Sequence, residues 1–173
     1  MDGVTITELI NNNKLTNLTP GIDTEVIFVK NAEVNRPALQ LTGFFAHFDN
    51  ERVQIMGNVE CAYLETLERA QKVAIYDKLL SYKLPAMVYA AGRKPDEDML
   101  AYCEHYGVPC LTSDRSTTEI MAEIIRWLKA ELAPCISIHG VLVDVFGEGV
   151  LIMGESGIGK SEAALELIKR GHR

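Results

Sequence analysis

Eight consecutive residues, Gly154-Glu155-Ser156-Gly157-Ile158-Gly159-Lys160-Ser161, combine glycines, a lysine and a hydroxyl at a spacing that suits phosphate. They satisfy the pattern G-x-x-x-x-G-K-[ST] at each fixed position. The glycines let the backbone turn back on itself, so successive N–H groups point at one anion. A helix opening at the end of the loop adds its own free N–H groups and its dipole. Lys160 can neutralise terminal phosphates, and the Ser161 hydroxyl can ligate Mg²⁺. This chemistry is nucleotide binding, with Mg²⁺ as the accompanying metal. It does not fix a reaction, because ATPases, GTPases and small-molecule kinases share the loop. Turnover also needs a second acid for the metal and a group that positions the nucleophile. Only twelve residues follow Ser161, and they offer no further strand to carry that acid.

The flanking elements suit the loop. Val150–Met153 reads as an apolar strand leading into it. Ser161–Arg170 reads as a helix, with Glu162 and Glu166 toward its start, Lys169 and Arg170 at its end, and Gly171 as a C-cap. Upstream of the strand, Ile136–Phe146 is β-rich, and Gly147-Glu148-Gly149 reads as the turn of a hairpin. A composition shift at Ala133-Pro134 separates this segment from the rest, giving two expected domains, 1–133 and 134–173.

Residues 1–133 alternate between strand and helix. A short helix is expected at 5–12, a buried strand at Val26–Val29 and a loop from Asn31 to Pro37. An apolar patch runs from Leu39 to Phe45. Val53 and Ile55, with polar Gln54 between them, suggest another strand. Asn58 opens a long helical stretch through Leu64, Leu67, Ala70, Ala74 and Ile75. Met87–Ala91 is a strand ending at Gly92. Pro95-Asp96-Glu97-Asp98 starts a helix with proline in its first turn, and Gly107 ends it. Val108–Leu111 enters the next strand. Ser113 or Ser116 caps a helix through Ile120, Ile124, Trp127 and Leu128, which Pro134 stops. The fold class is α/β: a largely parallel N-terminal domain, then the opening hairpin, phosphate loop and helix of a second domain.

Composition excludes several classes. The 173 residues are 47% apolar and 24% charged, which is ordinary for a folded protein. Seventeen Lys and Arg against 24 Asp and Glu give a net charge of −7. That balance argues against nucleic acid and against an anionic membrane surface as partners. No apolar run reaches the roughly 18 residues of a transmembrane helix. The acidic start, Met1 to Glu8, lacks the plan of a signal peptide. Cys61, Cys103, Cys110 and Cys135 are scattered, with no CxxC, which suggests reduced, mostly buried thiols in a cytoplasmic protein.

Other residues have two readings each. A lone His139 between a strand and a glycine is by itself more often structural than catalytic. Asn35-Arg36-Pro37 reads as a plain turn before it reads as a functional loop. Asp96-Glu97-Asp98 reads as dipole partners at a helix start before it reads as a metal site. His105 suits a helix C-terminus, His172 suits solvent, and Trp127 suits an anchor for its helix.

Ser137-Ile138-His139-Gly140 with Val141–Val145, then Gly147, Gly149, the phosphate loop and Ser161-Glu162 through Arg173, resemble the HPr kinase/phosphorylase family. Asn35-Arg36-Pro37, Leu41-Thr42-Gly43-Phe44-Phe45 and Leu111–Thr118 resemble that family's N-terminal domain. The resemblance implies a bifunctional enzyme of bacterial carbon catabolite control. Such an enzyme phosphorylates a serine of HPr with ATP or pyrophosphate and Mg²⁺, and runs the reverse step with phosphate. It also implies a homohexamer that responds to fructose 1,6-bisphosphate. On this reading Gly154–Ser161 hold the nucleotide, Lys160 and His139 are catalytic, and Ser161 is the metal ligand. The family's acidic pair, its metal-completing glutamate, a later arginine and the HPr-docking elements all lie beyond the position of Arg173. The chain therefore reads as truncated, and the segment past about residue 134 is expected to be loose or self-associated. The alternative is a non-catalytic α/β binding or oligomerisation module with an incomplete phosphate loop.

Overall fold

A computed structural model describes residues 3–173; Met1 and Asp2, part of the acidic start, lie outside the described residues. Contacts divide the chain into two compact units, one ending at Ala133 and the other running Pro134–Arg173.

The first unit begins with β1 (Val4–Thr5) and α1 (Ile6–Asn13). Then come β2 (Thr16–Asn17), β3 (Phe28–Val29), β4 (Val34–Asn35) and the short α2 (Ala38–Leu41). β5 (Val53–Met56), α3 (Asn58–Glu65), α4 (Arg69–Leu80) and β6 (Met87–Tyr89) follow. The unit closes with α5 (Glu97–Tyr106), β7 (Cys110–Thr112) and α6 (Thr117–Glu131). The main sheet has the order β2-β7-β6-β5-β4. β4 to β7 run parallel, and β2 joins the β7 edge antiparallel. β1 and β3 form a separate antiparallel ribbon.

Both faces of the sheet are covered, as a parallel sheet requires. Val53, Ile55, Val88 and Leu111 pack with Leu9 of α1 and with Ile120, Ile124 and Leu128 of α6. Met56, Met87, Tyr89 and Cys110 pack with Leu64, Tyr76, Leu79, Met99 and Cys103 on the other side. Trp127 packs at the edge of the first cluster, the anchoring role expected of it. Cys61, Cys103 and Cys110 are buried thiols, and Cys135 is exposed.

Local chemistry sets the helix ends. Thr5 and Glu8 exchange bonds across the first turn of α1, and Ser116 and Glu119 do the same for α6. The carboxylate of Asp96 accepts from Met99 N–H and caps α5. Pro95 therefore precedes the cap rather than lying in the first turn. Gly107 ends α5 in the left-handed region at φ 67°.

Four further expectations give way. Val26–Val29 is not a buried strand: only Phe28–Val29 pairs, Val26 is 66% exposed, and the pairing is to the marginal β1. The helical stretch from Asn58 breaks at Thr66–Glu68, where Gln71 accepts the Glu68 N–H and starts α4 anew. α6 ends at Glu131, short of Pro134. In the second unit the first strand starts at Gly140, later than Ile136.

The second unit holds β8 (Gly140–Val145), β9 (Glu148–Met153) and α7 (Lys160–Lys169). β8 and β9 pair antiparallel along their full length. Their turn is Phe146–Gly147, one residue earlier than expected, with φ 55° and 87°. That combination is the mirror-image turn whose twist suits a tight hairpin. The Asp144 carboxylate accepts the Gly147 N–H at 2.8 Å and steadies it. Arg173 and Asp144 exchange backbone hydrogen bonds, so the end of the α7 segment returns to β8. The second unit thus consists of a hairpin and a helix joined by the loop 154–159.

Candidate phosphate-binding site

The site lies within the second unit. β9 delivers the chain at Met153 into the loop, and α7 takes it up at Lys160. Gly154, Gly157 and Gly159 have φ of 158°, 84° and 95°, conformations that a side chain would strain. They explain why this sequence can curl there. The resulting cavity, about 810 Å³, is lined by the loop and by His139, Gly140 and Val141.

The donor set is unusually free. The N–H groups of Ser156, Gly157, Gly159, Lys160, Ser161 and Glu162 have no hydrogen-bond partner among the described residues. Ile158 N–H reaches Glu155 O at 3.4 Å, and the helix ladder starts with Ala163 N–H on Gly159 O. A run of unpaired donors at the start of a helix is an anion cradle. The Lys160 ammonium stays inside the loop, donating to Gly154 O at 2.8 Å and Glu155 O at 2.6 Å. The Ser161 hydroxyl is unpartnered among the described residues, and Glu155 and Glu162 also line the cavity. Hard oxygen donors beside a phosphate cradle suit Mg²⁺. The residues present therefore fit a polyphosphate with its metal. Among the described residues no three His, Cys, Asp or Glu gather as a metal site.

The structure brings Gly154, Glu155, Ser156, Gly157, Gly159, Lys160 and Ser161 to one cavity. Ile158 belongs to the loop but does not line the cavity; its side chain is 68% exposed. His139, exposed and distant in sequence from the loop, lines the same cavity because Gly140 pairs with Met153. This juxtaposition is the part of the site that local sequence spacing does not supply.

Other candidates settle as structure. Arg36 grips Glu60 with two bonds of 3.1 and 2.9 Å, and the Glu60 side chain is 1% exposed. Asn35 donates to Gln54 at 2.8 Å. The Asn35-Arg36-Pro37 segment therefore fastens β4 to β5 and α3. Asp96 caps α5, and Asp98 pairs with Arg69 at 2.7 Å, so the acidic run carries helix-start and surface-pair duties. His172 is half-buried, with its ring edge-to-face against Phe146 at 4.7 Å, rather than solvated.

Comparison with known proteins accords with this architecture. Residues 4–128 match the family described as HPr Serine kinase N terminus, and residues 130–173 match the HPr Serine kinase C-terminal domain. The chain is 56% identical over 98% of its length to the HPr kinase/phosphorylase of Lachnoclostridium phytofermentans, covering 55% of that protein. It is 41% identical over 99% of its length to that of Alkaliphilus metalliredigens, again covering 55%. A further relative, from Caldicellulosiruptor bescii, is 48% identical over 83% of this chain and is covered to 46%. This is an α/β chain of the HPr serine kinase type, and it belongs to the HPr serine kinase family. It spans about half the length of the curated relatives it matches.

Among solved structures, part of this chain is similar in fold to the CBS and DRTGG domains of the regulatory region of Clostridium perfringens pyrophosphatase, complexed with its activator diadenosine tetraphosphate. The TM-score is 0.50 at 14% identity, over 72% of this chain and 47% of that one. No described helix is long and apolar enough to cross a membrane.

Proposed function

We propose that this chain supplies the N-terminal domain and the phosphate-holding corner of a bifunctional serine kinase/phosphorylase. Its substrate would be the phosphocarrier protein HPr and its setting bacterial carbon catabolite regulation, in the cytoplasm. The observation that carries the reading is the run of unpaired N–H donors around Lys160, in a chain whose relatives are named HPr kinase/phosphorylase. The donors of Ser156–Ser161 and the Lys160 ammonium would bind the β-phosphate of ATP, or pyrophosphate. Ser161 would hold Mg²⁺ through its hydroxyl. A bound Mg²⁺ supplies charge neutralisation on the phosphate oxygens. His139 would stand beside the transferring group and orient it. Positioning and electrostatics of this kind make up most of phosphoryl-transfer catalysis. A homohexamer and a response to fructose 1,6-bisphosphate belong to the same proposal.

The test is a titration of the chain with ATP and with pyrophosphate, each with Mg²⁺, beside Lys160→Ala. Saturable binding that weakens at least about tenfold in the variant is expected, the cost of one charge-assisted contact. Absence of binding by either ligand to a folded chain would sink the proposal. Serine phosphorylation of HPr is then assayed with the protein at its relatives' length. Binding without transfer there would favour the non-catalytic module instead.

A further inference from the structure

In the first unit, three elements converge at the end of β6: the loop leaving that strand, α3 and α4. They enclose a cleft of about 180 Å³. It opens at the carboxyl end of β6, a parallel strand. Its polar groups are largely committed. Asp96 receives the Tyr76 hydroxyl at 2.9 Å and the Met99 N–H at 2.9 Å, with Lys72 at 3.7 Å. Glu65 is paired with Arg93 at 3.2 Å.

Two groups are left over. Lys94 lines the cleft and has no ion pair among the described residues. Tyr89 also lines it, is only 2% exposed, and its hydroxyl has no hydrogen-bond partner among the described residues. Among those residues, no side-chain nitrogen or oxygen fully cut off from solvent lacks a partner. The Tyr89 hydroxyl therefore meets solvent, and the cleft is the opening its side chain lines. A hydroxyl this nearly buried, with no protein partner, is left to bond whatever fills that narrow opening, water or a ligand.

We propose that this cleft binds one small oxyanion, the carboxylate or phosphate head of a metabolite, with the Tyr89 hydroxyl donating to it and Lys94 balancing its charge. The volume is below the range that encloses a drug-sized ligand, so the site takes a head group and leaves the rest in solvent. It is separate from the loop of the second unit and does not depend on the kinase reading.

The experiment follows backbone amide shifts of the chain by NMR during titration with inorganic phosphate and, separately, with acetate. Saturable shifts at 61–65 and 93–97 are expected with one of the two, and the responding probe identifies the head group. Tyr89→Phe and Lys94→Gln should each weaken that response at least about tenfold. Tyr89→Phe should leave the melting temperature unchanged or raised, because it removes an unpartnered hydroxyl. Shifts confined to 154–162 would assign the oxyanion to the loop and overturn the proposal. So would cleft shifts that Tyr89→Phe leaves unaltered, or a melting temperature lowered by that variant with the titration unchanged.

Discussion

Replacing Arg36 by alanine strands a buried carboxylate. The Glu60 side chain is 1% exposed and has three outside donors: Arg36 Nε, an Arg36 terminal nitrogen and the Gly57 N–H. Breaking a buried pair from one side costs about 3–5 kcal/mol. The Arg36 side chain is 39% exposed, so solvent already screens part of the attraction. The expected loss is therefore about 2–3 kcal/mol. In a chain of this size that is roughly 5–10 °C in melting temperature. Glu60→Gln should cost less, since glutamine can still accept the Gly57 N–H. The double variant should fall well short of the sum, with a coupling of about 1–2 kcal/mol.

Acidity gives a second readout. Burial pushes the Glu60 carboxyl up, but the bonds from Arg36 and the backbone N–H groups outweigh it and hold the carboxyl below its ordinary value. The unfolded chain then takes up this proton first as pH falls. The stabilisation is complete above the ordinary carboxylate range and is lost as pH drops through the lowered folded value. The gap between wild type and Arg36→Ala should close over that acid window. Urea melts across pH would measure it. A loss below about 0.5 kcal/mol at neutral pH, the scale of an ordinary surface change, would refute the reasoning, as would strict additivity in the double variant.

Two smaller perturbations test the helix ends. Ser116→Ala removes the hydroxyl that accepts the Glu119 N–H and should cost about 1 kcal/mol, read by denaturant melts. Gly107→Ala places a side chain at φ 67° with no atom within 4 Å of the new carbon. Its cost is then backbone strain alone, about 1 kcal/mol, and Gly107→Asn should recover part of it.

The parts of this molecule written locally were legible. The loop from Gly154 to Ser161 declares itself through residue types, and the strand–helix alternation from Val53 to Leu128 follows from apolar runs and caps. What depended on neighbours was not. Gln54, the polar residue between Val53 and Ile55, is wholly buried. β5 is central and covered on both faces, and Gln54 is satisfied by Asn35, Arg52 O and Asp49 O. Thr16–Asn17 has no strand signal of its own and pairs only because β7 offers an edge. The break at Thr66–Glu68 interrupts helical spacing without proline or glycine; the visible cue was glutamine three residues after Glu68. In the site, the lysine and hydroxyl were legible, while the contribution of His139 depends on a pairing register.

That register constrains the length of the hairpin. His139 immediately precedes Gly140, Gly154 immediately follows Met153, and Gly140 and Met153 are cross-strand partners. Each strand has six residues, joined through Phe146–Gly147. The hairpin is thus a ruler with equal arms. Lengthening one arm alone would carry the histidine past the loop and turn Val143, now 3% exposed, to the opposite face. Matched changes in both arms would preserve the juxtaposition. Changes in the length of this hairpin therefore keep the histidine beside the loop only when they come in compensating pairs.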